Sequence, residues 1–280
     1  MGTMVGLAQQ GVFGWLQTIG VGLFVAIGAA LSVWFLHQKS LLQVREPWDR
    51  GVDPGVLLVL ALGLWLVHAV GQSIGLQVAG DFSIAILGGL LVFAGAFAAF
   101  GHLGPRGASL RVHGPLTPQH GRRGVVGLLL MLPILFAVGA IAVFATRIVG
   151  VEVGPVGHQT LATLRDDVGG WRWWALTAGV VIAVPWIEEV LYRGLLQGAL
   201  VGLLRSPWAG ILATSVIFAF LHVGAAAWHT LPTLFVFSVG LGAMAERFAS
   251  VWPSVLAHAG FNALNISLAM LAPEQPPPTP

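Results

Sequence analysis

The sequence predicts an all-α fold, a polytopic transmembrane helix bundle of about eight spans, and three observations carry that expectation. Hydrophobic residues make up 56 % of the 280 and charged residues only 9 %, where a soluble domain carries about 25 % charged. Eight stretches are apolar over roughly the 20 residues that a helix needs to cross the hydrocarbon layer. Tryptophans gather near the ends of those stretches, at Trp15, Trp34, Trp171, Trp173, Trp174, Trp208, Trp228 and Trp252, where an amphipathic indole prefers to lie. So few charges cannot cover a water-soluble surface, which excludes a cytosolic enzyme, a nucleic-acid binder and a disordered regulator. The net charge is only +2, without a Lys/Arg-rich run. With no cysteine there is no disulfide, thiolate metal site or cysteine nucleophile.

The spans are expected at 12–36, 55–79, 82–101, 124–147, 173–202, 207–226, 230–247 and 251–272. The first is too long for a cleavable signal peptide and has no basic segment before it. Three hydrophilic connections, 37–54, 102–123 and 148–172, separate some of the spans. Residues 273–280 are proline-rich and read as a disordered polyproline tail. The chain thus divides into N-terminal transmembrane helices over 1–150 (about four spans), a second helical unit over 151–272 and the tail 273–280. Glycine supplies 38 residues, and in membranes small residues let helix backbones approach closely. With eight spans, one side receives Lys39, Arg45, Arg50, Arg106, Arg111, Arg122, Arg123, Arg205 and Arg247, and the other Arg147, Arg165 and Arg172. That asymmetry places the first group in the cytoplasm and both termini outside.

Most of the acidic and basic residues fall in loops, and the three deepest form one cluster. The fifth span reads Val181-Ile-Ala-Val-Pro-Trp-Ile-Glu188-Glu189-Val-Leu-Tyr-Arg193-Gly194. A charge at the bilayer centre costs at least ~2.5–3.5 kcal/mol, so such residues face a protein interior or a wet cavity. Glu189 and Arg193 are four apart, in the favourable acid-before-base order, and can neutralise one another. Glu188 lies about 100° round the helix without a local partner. A carboxylate so placed is suited to accept and return a proton, as a general base or acid. The sixth span adds Phe218 and His222, and the eighth adds His258 and Asn262, again four apart on one face. A lone buried histidine such as His68 is more often a hydrogen-bonded core residue. Two histidines, an asparagine and an unpaired glutamate on polar-marked helices are a more specific set, sufficient to activate water and to stabilise a developing oxyanion in amide hydrolysis.

Glu188-Glu189-x-x-x-Arg193, Phe218-x-x-x-His222 and His258-x-x-x-Asn262 together resemble the three-motif signature of the CPBP family. These are the CAAX-protease and bacteriocin-processing, or Abi, intramembrane endopeptidases, which include the Ras-converting type of CAAX prenyl endopeptidase. The run Phe237-x-x-Gly240 through Ser250-Val-Trp-Pro253-Ser-Val-Leu-Ala-His258 also resembles the family's approach to its third motif. The similarity covers about residues 173–265, which makes 151–272 a candidate catalytic core. By position, the resemblance implies that Glu188 activates water with the help of His222. It implies that His258 and Asn262 line an oxyanion hole, and that Glu189, Arg193 and Phe218 complete the motifs. Expected partners are membrane lipids and a membrane-associated protein or peptide substrate, not nucleic acid.

Family members are described both as metallopeptidases and as metal-independent glutamate peptidases. Glu188, His222 and His258 are a donor set that Zn²⁺ with an open position would accept, but Asn is a poor zinc ligand. The expectation here is water activated without a firmly bound metal. A His-Glu-x-x-His motif and a Gly-x-Ser-x-Gly motif are absent, and Asp occurs only in loops. Two other classes compete: a transporter with an intramembrane relay, and a non-catalytic membrane scaffold or immunity protein on the same fold. His222 stands near the end of its expected span while Glu188 and His258 lie well inside theirs. Convergence therefore requires a longer sixth helix or a site that opens towards one surface.

Overall fold

The computed structural model describes residues 22–23, 25–34, 44, 46–103, 112–154, 157–166 and 168–271. The start of the first expected span, Trp15, Lys39, Arg45, Arg106, Arg111 and the proline-rich tail lie outside them. Helices in chain order are α1 (Val25–Trp34), α2 (Pro54–Ala79), α3 (Phe82–Leu103), α4 (Pro118–Ile148), α5 (Gln159–Asp166), α6 (Trp171–Leu204), α7 (Pro207–Leu221), α8 (Leu231–Phe248) and α9 (Trp252–Leu271). No strand forms among the described residues; two isolated β-bridges join His158 and Val223 to Ala226. The fold is an all-helical bundle, as the composition requires.

Start and stop residues explain the boundaries. Asp53 accepts hydrogen bonds from the N–H groups of Gly55 (2.8 Å) and Val56 (3.2 Å), and Pro54 opens α2 at a position where a missing N–H costs nothing. Gly80, at φ 62°, closes α2 in the left-handed conformation. Asp81 then caps α3 through Ser83 and Ile84, and the Ile84 N–H above all holds its carboxyl below the usual range. Ser206 caps α7 through Ala209, with Pro207 at the first position.

Among the described residues, five helical segments are long and apolar enough to cross a membrane: α2, α4, α6, Trp228–Phe248 and α9. The apolar stretches of α1, α3 and α7 are shorter. Large apolar side chains such as Val59, Ile141 and Phe220 are left exposed on the outer faces, a surface that water does not tolerate and lipid does. The chain is an integral membrane protein. α4 begins at Pro118, six residues before the expected span, and α7 ends at Leu221 rather than reaching 226. At 1.5 Å per residue, the 15 residues of α7 reach about 22 Å, short of the ~30 Å hydrocarbon layer. The sixth helix is therefore shorter than expected, and His222 stands as the residue that caps its C-terminal end.

One buried apolar cluster joins both halves of the chain. It packs Leu57 of α2 and Phe93 of α3 against Leu176, Ile187 and Leu195 of α6 and Phe218 of α7. The segment Val112–Thr117 is clasped to the α8–α9 turn: His113 O accepts from Val251 N–H at 2.9 Å and Pro115 O from Ser250 Oγ at 2.9 Å. His113 also stacks on both Trp186 and Trp252.

α6 is irregular in a way that serves the site. It switches to π-helical hydrogen bonding over Gly179–Ala183 and again over Glu189–Leu196, a distortion that is frequent at functional sites. The second π segment begins between the two adjacent glutamates.

Candidate active site

A cavity of about 860 Å³ opens among α2, α3, α4, α6, α7, α8 and α9. Glu188 is the only carboxylate among the described residues that line it, and His222, His258, Asn262 and Phe218 line it too. Residues from three segments that are distant in sequence therefore line one cavity.

The two adjacent glutamates have separate environments. Glu189 is fully buried, 3.0 Å from Arg193 NH1 along one face of α6. Arg193, equally buried, donates through NH2 to Ser238 Oγ at 3.0 Å and lies over the Phe218 ring at 4.9 Å. The same oxygen of Glu189 accepts a hydrogen bond from His258 Nδ1 at 2.9 Å. Glu188, by contrast, leaves 24 % of its side chain exposed to the cavity, with Oε2 3.8 Å from His258 Nε2. The expected i,i+4 pair forms, and it also grips the histidine of α9.

Hydrogen bonding settles the other side chains. The ring nitrogen Nδ1 of His222 donates to the carbonyl of Phe218 at 2.7 Å, which leaves Nε2 of the neutral ring as an acceptor. His222 is the residue that ends α7, where no further helical turn covers it. Asn262 Nδ2 donates to Val180 O at 2.9 Å. The backbone explains that bond. Val184 N–H bonds five residues back to Gly179, so in this register Val180 would receive residue 185, which is proline and has no N–H. Asn262 fills the vacant position and keeps one amide N–H for the cavity.

Among the described residues, no three His, Asp or Glu side chains converge as a metal-holding group. Glu188, His222 and His258, the set that zinc would have used, line one cavity without being gathered into such a group. The metalloendopeptidase reading finds no ligand set among the described residues.

A second buried ion pair lies outside the cluster of Glu188, Glu189 and Arg193 and joins Arg50, which the sequence places in a loop, to Glu246. Arg50 NH2 lies 2.7 Å from Glu246 Oε1, with side chains 2 % and 0 % exposed. Burial lowers the Arg50 pKa, and the nearby Glu246 carboxylate opposes that shift. Arg50 also donates to the carbonyls of Arg193 (2.8 Å) and Gly194 (2.9 Å), and Gln197 donates to Glu246 at 3.0 Å. These bonds pin the π segment of α6 that carries the Glu189–Arg193 pair. Gly194 permits the approach of the neighbouring chain, since a Cβ there would meet Val112 O at 2.8 Å. The available signals were Glu246 inside an apolar span and Gln197 four residues beyond Arg193. Arg50, about 200 residues from its partner, had none.

Residues 170–264, which hold all seven motif residues, match the family model described as Rce1-like, type II CAAX prenyl endopeptidase Rce1-like. The likeness read from the motifs stands over that segment, about a third of the chain. No curated protein and no solved structure matches the chain.

Proposed function

We propose that the protein is a multi-pass endopeptidase of the cell membrane that hydrolyses a peptide bond in a membrane-associated protein or peptide, with water activated by Glu188. Where the cell makes prenylated CAAX-type proteins, these are its substrates. The observation that carries the reading is Glu188 itself, the lone carboxylate among the described residues that line a cavity also holding His222, His258 and Asn262. The match of residues 170–264 to a CAAX endopeptidase family supports it.

In this reading Glu188 takes a proton from water as the oxygen attacks the carbonyl carbon of the scissile bond. His222 Nε2, an acceptor in its neutral form, takes the other water proton in a hydrogen bond and so aims the nucleophile. The carbonyl oxygen acquires the negative charge, which the remaining N–H of Asn262 faces. Glu188 then returns its proton to the amide nitrogen as the C–N bond breaks, which releases an amine and a carboxylic acid. Trp65, Leu76, Ile86 and Leu90 give part of the cavity an apolar surface suited to a prenyl chain or to the apolar side chains of a membrane peptide. The volume falls within the ~300–1,000 Å³ of ligand pockets.

The test is cleavage of an internally quenched C-a-a-X peptide, farnesylated and unmodified, by purified protein in vesicles. Glu188→Gln should abolish turnover while leaving the detergent melting temperature close to the parent's. Full activity in that variant overturns the mechanism.

A further inference from the structure

The motif residues offer the cavity more acceptors than donors. Glu188 accepts, His222 Nε2 accepts once its Nδ1 proton is held by Phe218 O, and His258 Nδ1 is occupied by Glu189. Asn262 has one of its two N–H groups on Val180. An oxyanion needs donors. A further one stands beside His222, outside the segment that the family model covers.

His158 precedes α5 and lines the same cavity, its ring centroid 6.0 Å from that of His222. Its backbone is fixed against the chain that follows His222: Gly157 O accepts from Ala227 N–H at 2.8 Å and Gln159 N–H donates to Ala225 O at 2.9 Å. The loop carrying His158 therefore cannot drift from the loop that carries His222. The ring is fixed as well, because Thr160 N–H donates to Nδ1 at 3.2 Å. A neutral imidazole whose Nδ1 accepts carries its proton on Nε2. Burial, reinforced by the neighbouring His222, pushes the pKa of His158 down to about 4, so the ring is neutral at physiological pH.

We infer that His158 is a further catalytic residue, whose Nε2–H donates a hydrogen bond to the carbonyl oxygen of the scissile peptide bond as the water held by His222 and Glu188 attacks. The inference rests on the proposed peptidase reading. No proton is transferred to or from His158; the hydrogen bond strengthens as charge grows on the oxygen and relaxes when the C–N bond breaks. Two imidazoles of opposite polarity then face one reaction, an acceptor for the nucleophile and a donor for the electrophile.

The competing role is local, since Thr160 N–H bonding to Nδ1 is a helix cap. His158→Asn separates the two, because asparagine caps helices well but does not reach where Nε2 lies. His158→Gln carries an amide N–H at nearly that reach. With the quenched C-a-a-X peptide, His158→Asn should lower kcat by about 10²-fold, the usual loss of one oxyanion donor, with KM and melting temperature close to the parent's. His158→Gln should recover at least about tenfold of that loss. Parental kcat in His158→Asn, or equal losses in both variants, overturns the inference. The parent and Glu188→Gln run alongside. Cleavage that depends on Glu188 but not on residue 158 removes this inference alone, whereas a parent without Glu188-dependent cleavage removes the site reading and this inference with it.

Discussion

Glu189 accepts a hydrogen bond from His258 Nδ1 at 2.9 Å on a carboxylate that has no exposed surface. Arg193, 3.0 Å from the same oxygen, supplies the countercharge that lets a carboxylate exist there. The acid–base pair within α6 thereby becomes the fixture that orients a histidine of α9. A buried carboxylate behind an imidazole fixes its tautomer and its direction, and here it turns Nε2 of His258 towards Glu188. Neighbours in the chain thus divide the work: one glutamate holds the site together and the other faces the cavity.

Removing one member of that pair leaves an uncompensated charge in the core. Glu189→Ala and Arg193→Ala should each destabilise the protein by about 3–5 kcal/mol, read as a fall in the detergent melting temperature. Glu189→Ala should lower turnover in the remaining folded fraction as well, because His258 loses its orienting partner. Unchanged melting in both variants would refute the ion-pair argument.

The bond from Asn262 to Val180 makes a non-additive prediction. Asn262→Ala leaves a buried carbonyl unpaired and should cost about 1–3 kcal/mol. Pro185→Ala restores an N–H that can reach Val180 O in the local i→i−5 register. In that background the cost of Asn262→Ala should shrink by half or more, which a double-mutant cycle on thermal or denaturant stability measures. Strict additivity would show that the proline is not the reason for the bond.

The Arg50–Glu246 pair is tested by contrast. Glu246→Ala should cost about 3–5 kcal/mol, while Arg50→Met with Glu246→Leu should recover much of it, since apolar replacement of a whole buried pair is often neutral. Gly194→Ala should destabilise by about 1–3 kcal/mol, as overpacking does, because the added methyl meets the backbone oxygen of Val112 rather than a side chain that can move. Parental stability in Gly194→Ala would mean that the contact relaxes freely.

His158 carries a pH signature. Its pKa is about 4 in the folded protein against an ordinary 6.5, so between those values the unfolded chain binds a proton that the folded one does not. Stability therefore rises with pH across that window and is lost as pH falls from 6.5 towards 4. His158→Gln should flatten this part of the profile relative to the parent, measured as melting temperature against pH. Parallel profiles would show that His158 titrates normally in the folded state.

The amino-acid sequence by itself determined the class of molecule and the chemistry within each helix. Scarce charge required a membrane, apolar length set out the helices, and a spacing of four put Glu189 with Arg193 and left Glu188 on another face. Those properties are local, governed by composition and by helical period. The tertiary structure decided which faces meet. Glu189 with His258, Arg50 with Glu246, and Asn262 with Val180 are separated by 69, 196 and 82 residues, and no period links them. The early end of α7, the π turns of α6 over Gly179–Ala183 and Glu189–Leu196, and the loop that sets His158 beside His222 are likewise products of packing. A side chain's face follows from its neighbours in the chain, but its partner is chosen by how whole helices fill the shared interior, where every buried polar group must find one.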